Sequence, residues 1–206
     1  MTTQLVLATL GMVAVGYLAG SIPFSFLVAK AHGVDLRTVG SGNIGGSNVW
    51  RSVGFSAFLM AVVGDLLKGT LPTLAAMYLL GLPPAAVVLV GVAAILGHTF
   101  PLFLGFKGGK AVATSGGVLV AISPLMIAIA LAIWAVVFAV GRISSVASLA
   151  GAASVGITSV VMLAMGVLPL PYTLLSWVAV TVIFYLHREN IQRLREGREN
   201  KFQKLF

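Results

Sequence analysis

The sequence has no cysteine, very little acid and little charge of either sign. Without cysteine there is no disulfide, no thiol nucleophile and no thiolate metal site. Only five residues are Asp or Glu, and before the C-terminal tail they are Asp35 and Asp65 alone. Oxygen ligands for a hard cation are therefore scarce, and no metal or other cofactor is expected. Charged residues make up 9% of the chain, whereas a soluble domain carries about 25%. Hydrophobic residues make up 59%, and the mean hydropathy is +1.06. These values describe an integral membrane protein. The opening stretch MTTQLVLATLGMVAVGYLAG lacks a basic n-region and its apolar character runs on to about Ala29. It reads as a retained first helix.

What is present is a set of apolar runs separated by polar loops. Helical spans are expected at about 4–29, 53–79, 85–103, 110–122, 124–141, 145–166 and 170–187. Breaks fall at GLPP (Gly81 to Pro84), at Pro124 and at GVLPLP (Gly166 to Pro171), where proline ends helices. The fourth span is short for a bilayer and is expected to be tilted, half-inserted or fused to its neighbour. The expected fold class is all-α and polytopic with seven transmembrane helices, in one domain over 1–206 with a basic amphipathic tail at 188–206. The net charge of +8 would suggest a nucleic-acid partner in a soluble protein. Here Lys30, Arg37, Arg51, Lys107, Lys110, Arg142 and the basic tail residues, Lys204 included, all fall on one side of the seven-span arrangement. By the positive-inside rule that side is cytoplasmic, the N-terminus is outside and the C-terminus is cytoplasmic. No nucleic-acid partner is implied. The pair Gly16/Gly20 and the run SSVASLAGAASVG read as close helix packing.

Three polar segments on that face carry the chemistry. In VDLRTVGSGNIGGSNVWR, glycines such as Gly40 and Gly42 can turn backbone N–H groups toward an anion. Ser41, Asn43, Ser47 and Asn48 add neutral donors, and Arg51 adds a fork suited to phosphate, read at the start of the next helix. In GFKGGKAVATSGG, Gly108 and Gly109 free the backbone, Lys107 and Lys110 bring charge, and a helix follows at once. This is not a Walker A loop, because Ala111 follows Lys110. Nearby His98 reads as a packing residue. In HRENIQRLREGRENKFQKLF, His187, Asn190, Ile191 and Leu194 share a helix face turned to the protein, while Arg188, Gln192 and Arg195 face away. The rest of the tail reads as an interfacial helix attracted to anionic lipid. Asp65 and Lys68, three residues apart inside the second span, either shape a polar cavity or lock helices together.

Arg, Lys, His, Ser and Asn beside a bilayer, with almost no carboxylate, suit a phosphorylated substrate and a lipid co-reactant. The segments GSGNIGGSNVWR, GHTFPLFLGFKGGKAVAT and HRENIQRLREGREN, with DLLKG between the first two, resemble the bacterial acyl-phosphate:glycerol-3-phosphate acyltransferases (PlsY) in motif and order. The resemblance implies a seven-helix enzyme of the bacterial inner membrane with its site on the cytoplasmic face. It implies transfer of a fatty acyl group from acyl phosphate to the 1-hydroxyl of glycerol 3-phosphate, giving lysophosphatidic acid and inorganic phosphate. It assigns catalytic roles to Ser41, Lys110, His187 and Asn190. Substrate contacts are expected from Gly40, Gly42, Asn43, Arg51, Lys107, Gly108 and Gly109, and Asp65 and Lys68 stay candidates for a polar cavity or a helix lock. Ala111 departs from the family's usual GGKG. The chain has no His-x4-Asp pair, which an acyl phosphate makes dispensable because phosphate is a good leaving group. The alternative is a small transporter or binding protein for organic phosphates, but transporters often show internal repeats and the sequence shows none. The reaction is expected to be a direct transfer, with the proton going to His187 or to a substrate phosphate, and with no carboxylate available to orient that histidine.

Overall fold

The computed structural model describes residues 2–203; Met1, Leu205, Phe206 and the expected tail cation Lys204 lie outside the described residues. Within them all regular structure is helical. The helices are α1 (Thr3–Ser21), α2 (Phe24–Ala31), α3 (Gly46–Ser52), α4 (Phe55–Leu74), α5 (Pro84–Thr99), α6 (Val112–Ile122), α7 (Pro124–Gly141), α8 (Ser144–Ala164), α9 (Leu170–Leu186) and α10 (Arg188–Arg195). Proline opens α5 and α7 and stands next to the start of α9, where a missing N–H costs nothing. A π-helical turn, Ala75–Leu79, extends α4 beyond Pro72.

Five helical stretches are long and apolar enough to cross a bilayer: Thr3–Ala31, Phe55–Leu79, Pro84–Leu104, Pro124–Gly141 and Ser144–Ala164. A sixth results if Leu170–Leu186 and Arg188–Arg195, bent by 51° at His187, count as one. The remaining apolar helix, α6, has 11 residues. It rises about 16 Å, roughly half of a ~30 Å hydrocarbon core.

Helix α5 lies at the centre, packed against α1, α4, α6 and α9. The Gly16/Gly20 pair lets α1 approach it backbone to backbone: a Cβ on Gly20 would stand 2.9 Å from Ala94 Cα. At one end Met12, Leu82, Leu168 and Tyr172 cluster, which brings the GLPP and GVLPLP turns together. At the other end Trp50, Phe138 and Phe202 meet, which brings the first polar loop to the C-terminal tail.

The pair Asp65–Lys68 is a helix lock. Lys68 Nζ lies 2.7 Å from Asp65 Oδ1 and donates to Ile22 O at 2.8 Å, at the break between α1 and α2. Ser25 Oγ donates to Asp65 Oδ2 at 2.6 Å, and Thr114 Oγ1 donates to Asp65 O at 2.9 Å. The buried pair thus ties α4 to α2 and to the α1–α2 break, and the Asp65 backbone carbonyl ties α4 to α6. Breaking a buried pair by removing one partner leaves an uncompensated charge, which costs about 3–5 kcal/mol. Lys68→Met is therefore expected to lower the unfolding midpoint in detergent sharply, and adding Asp65→Asn should restore part of the loss. A midpoint unchanged by Lys68→Met would contradict the lock.

Candidate active site

The three polar segments converge on one cavity of about 320 Å³. Its rim carries Ser41, Asn43, Ser47 and Arg51 from the first loop and α3, Lys110 from the second loop, and His187, Asn190 and Glu199 from the tail. Its depth is apolar, walled by Leu119 of α6, Ile127, Ala130 and Leu131 of α7, Val155 of α8, and Val180 and Ile183 of α9. The small-residue run of α8 lines it too, through Ser144, Ser145, Ser148, Gly151 and Ala152. That run serves the cavity as well as helix packing.

The first loop is held from inside. Asn48, 2% exposed, shares the two hydrogens of Nδ2 among Leu36 O, Val39 O and Asn43 O at 3.0–3.1 Å and accepts the Ser41 N–H at 3.1 Å. Gly40 (φ +57°) and Gly42 (φ +70°) supply the left-handed turns on either side of Ser41. The Gly42 N–H donates to Val39 O at 3.0 Å. The Ser41 and Gly42 N–H groups of the expected anion nest are therefore spent on the loop itself. Gly40, Gly42 and Asn48 shape it, and Ser41 and Asn43 reach the cavity. The segment after the loop forms the short helix α3, which the sequence pattern does not announce, and Arg51 falls in its last turn instead of opening a long helix. Its guanidinium carbon lies 4.5 Å from the Phe202 ring centroid, and its buried Nε has no hydrogen-bond partner among the described residues. Burial lowers the Arg51 pKa from its usual value, and Glu199 opposes that shift.

The second loop is also corrected. Gly108 N–H donates to Thr99 O at 3.1 Å and Gly109 N–H to His98 O at 3.2 Å, so the loop folds back along the end of α5. A side chain on Gly109 would run into the His98 imidazole. The two glycines serve close approach and do not present N–H groups to the cavity. His98 supports this loop, as a packing residue hydrogen-bonded to Thr114 Oγ1 at 3.0 Å. Lys107 is exposed and does not line the cavity; Lys110 is partly buried and does. Lys110 Nζ donates to Asn190 Oδ1. Burial, reinforced by Arg193, pulls the Lys110 pKa down to about 8, and Glu199 and Glu189 oppose it. Ala111 adopts a left-handed conformation (φ +55°). For a residue with a Cβ that costs about 1 kcal/mol.

His187 sits at the bend between α9 and α10, and both it and Asn190 are buried while Arg188, Gln192 and Arg195 are exposed, as the helix-face pattern predicts. His187 Nδ1 lies 2.8 Å from Ile183 O. Nδ1 therefore carries the hydrogen and Nε2 is left as an acceptor. The tail beyond α10 differs from the expected interfacial helix. Gly197 (φ +68°) reverses the chain, Phe202 N–H donates to Arg142 O at 2.8 Å, and Phe202 packs on Phe138. This return brings in a carboxylate absent from the site expected on sequence. Glu199 accepts from Asn190 Nδ2 at 2.6 Å, Ser145 Oγ at 2.8 Å and Arg193 Nε at 2.8 Å. Burial alone would raise its pKa, but these hydrogen bonds hold it below the ordinary value. Glu199 orients Asn190, which holds Lys110; it makes no hydrogen bond to His187. Of the expected cavity pair, Asp65 lines the wall and Lys68 does not.

A helical membrane protein with one two-part cavity, cationic and hydrogen-bonding at the rim and apolar below, is built to hold amphiphilic phosphates. The sequence model for glycerol-3-phosphate acyltransferase matches residues 10–197. A glycerol-3-phosphate acyltransferase of Roseiflexus sp. is 59% identical over 97% of this chain and 98% of its own length. One of Geotalea daltonii is 44% identical over 99% of this chain and 100% of its own. The crystal structure of PlsY, an integral membrane glycerol 3-phosphate acyltransferase, in its glycerol 3-phosphate form superposes with a TM-score of 0.88, at 39% identity over 95% of this chain and 96% of that one. Its lysophosphatidic acid form gives 0.86, at 38% identity and 95% of both chains. The chain belongs to the glycerol-3-phosphate acyltransferase family.

Proposed function

We propose that this protein transfers a fatty acyl group from acyl phosphate to the 1-hydroxyl of glycerol 3-phosphate, releasing inorganic phosphate and leaving lysophosphatidic acid in the membrane. The observation that carries this reading is the single cavity with a cationic rim and an apolar depth. One phosphate and a hydrocarbon chain fit its two parts, and a second phosphate has Arg51, Lys110, Ser41 and Asn43 to share. The glycerol hydroxyl attacks the acyl carbon, and phosphate departs with the bonding pair. Phosphate needs little acid assistance, so the protein's task is to position the reactants and stabilise charge. Ser41 binds through its hydroxyl, Arg51 and Lys110 neutralise phosphate, and Asn190 fixes Lys110. The hydroxyl proton passes to His187 Nε2 or to a substrate phosphate oxygen.

The chain acts as one domain in the bacterial inner membrane, crossing seven times, with the N-terminus outside and the site on the cytoplasmic face. The clustering of the basic loops around the cavity supports this orientation through the positive-inside rule. Single cysteines placed at the exposed positions Lys201 and Pro83 are then expected to react with an impermeant reagent from opposite sides of oriented membranes. Labelling of both from one side would rule out the arrangement.

Transfer with purified protein tests the function. Acyl phosphate and glycerol 3-phosphate together should give lysophosphatidic acid and phosphate in equal amounts, and acyl-CoA should not replace acyl phosphate. Phosphate-ester flux across liposomes without transfer would favour a transporter.

A further inference from the structure

One buried hydroxyl on the cavity wall is not used by the chemistry described so far. Buried Ser and Thr side chains in these helices commonly donate to their own helix, as Ser21 does to Tyr17 O and Ser176 to Tyr172 O. Ser115 is 1% exposed, lines the cavity and has no hydrogen-bond partner among the described residues. An unmatched buried hydroxyl costs about 1–3 kcal/mol, so one on a residue of the cavity wall calls for a ligand atom. Its place on α6 says which atom. Ala111, Ser115 and Leu119 succeed one another at four-residue steps along one helix face, about 6 Å apart. All three line the cavity. Lys110 and the helix start are above Ser115, and the apolar wall begins at Leu119 below it. The first bond of the helix runs from Ser115 N–H to Ala111 O at 2.8 Å. The N–H groups of Val112 and Ala113 precede it, as orphan donors of a helix start do, and both residues also line the cavity. In an acyl phosphate the carbonyl is the joint between phosphate and hydrocarbon, so with the chain below and the phosphate above it falls at the level of Ser115.

We propose that the Ser115 hydroxyl, with the N-terminal N–H groups of α6, receives the carbonyl oxygen of the acyl donor as it becomes an oxyanion. This rests on the function proposed above. Attack by the glycerol oxygen forms the new C–O bond and moves the carbonyl π pair onto oxygen, where Ser115 Oγ–H donates to it. Return of that pair breaks the bond to phosphate, which leaves as the anion, while the hydroxyl proton goes to the acceptor already described. The helix dipole adds its positive end to the same point.

The test compares steady-state transfer by the unaltered protein and by Ser115→Ala, Ser115→Thr and Ser115→Val, with thermal unfolding of each. Loss of one oxyanion donor lowers turnover by about a hundredfold. Ser115→Ala is expected to show that fall in kcat with KM for glycerol 3-phosphate unchanged. Thr and Val have the same shape and differ by the hydroxyl, so Ser115→Thr should exceed Ser115→Val in kcat even if packing suffers in both. An unchanged kcat in Ser115→Ala, equal kcat in the Thr and Val variants, or a loss confined to KM for glycerol 3-phosphate overturns the inference alone. Absence of transfer by the unaltered protein overturns the functional reading and this inference with it.

Discussion

Alanine at Lys110 is expected to lower kcat/KM for glycerol 3-phosphate at least tenfold, and alanine at Lys107 to leave it nearly unchanged. The two lysines are three residues apart and would be equivalent if they only anchored the loop to the cytoplasmic side. They differ in environment. Lys107 is exposed, whereas Lys110 is partly buried on the cavity rim with Asn190 holding its ammonium. A charged hydrogen bond to phosphate contributes about 1.5–3 kcal/mol, or roughly ten- to a hundredfold. Burial has lowered the Lys110 pKa to about 8, so the ammonium form proposed to bind phosphate is complete well below that pH and is lost as pH rises through it. Accordingly kcat/KM is expected to decline on the alkaline side of about 8, since that ratio reports the free enzyme. Arginine at position 110 keeps its charge and should flatten the decline. Equal, small effects at the two lysines would reduce both to topology anchors.

Loss of Arg51 is expected to be more damaging still. Arg51→Ala should lower kcat/KM about a hundredfold, the lower range for two charged hydrogen bonds made by one fork. Arg51→Lys should recover only part of this. The guanidinium lies over Phe202, so its plane is set by the returning tail. A lysine ammonium has neither the plane nor the fork. The buried and unpaired Nε leaves this side chain a donor to give. Steady-state kinetics on both variants checks this, together with unfolding midpoints to exclude loss of the fold. A lysine variant with full activity would show that charge alone suffices.

The membrane helices were legible because a bilayer core leaves a long apolar run few alternatives, and proline marks its ends. Each observed long helix falls within about three residues of the expected span at its start, and the short fourth run is the short helix α6. Helix-face spacing likewise placed His187 and Asn190 inward, since residues three apart on a helix share a side. The loops were harder. Asn48 has the donors of a ligand-binding residue, and nothing local says that Leu36, Val39 and Asn43 already use them. Gly108 and Gly109 fit a phosphate cradle by composition, whereas their function depends on His98 and Thr99, nine to eleven residues away in sequence. Helix α3 has seven residues and no room for a periodic signal. Glu199 was hidden because the tail looks like one basic amphipathic helix. Gly197 after Arg195 was the available sign of a stop, since glycine in the left-handed region commonly ends a helix.

Both substrates are expected to occupy the cavity together, and the acyl group to pass between them without residing on the protein. Ser41 is the residue that could contradict it. A serine nucleophile requires an adjacent base held by a third group. His187 Nδ1 is engaged by Ile183 O, and Glu199 is hydrogen-bonded to Asn190, Ser145 and Arg193. The decisive measurement is the intact mass of the protein after incubation with acyl phosphate alone, followed by addition of glycerol 3-phosphate. The mass is expected to stay unmodified throughout, with lysophosphatidic acid formed only after the second substrate is added. A stoichiometric acyl adduct on Ser41, discharged by glycerol 3-phosphate, would contradict it.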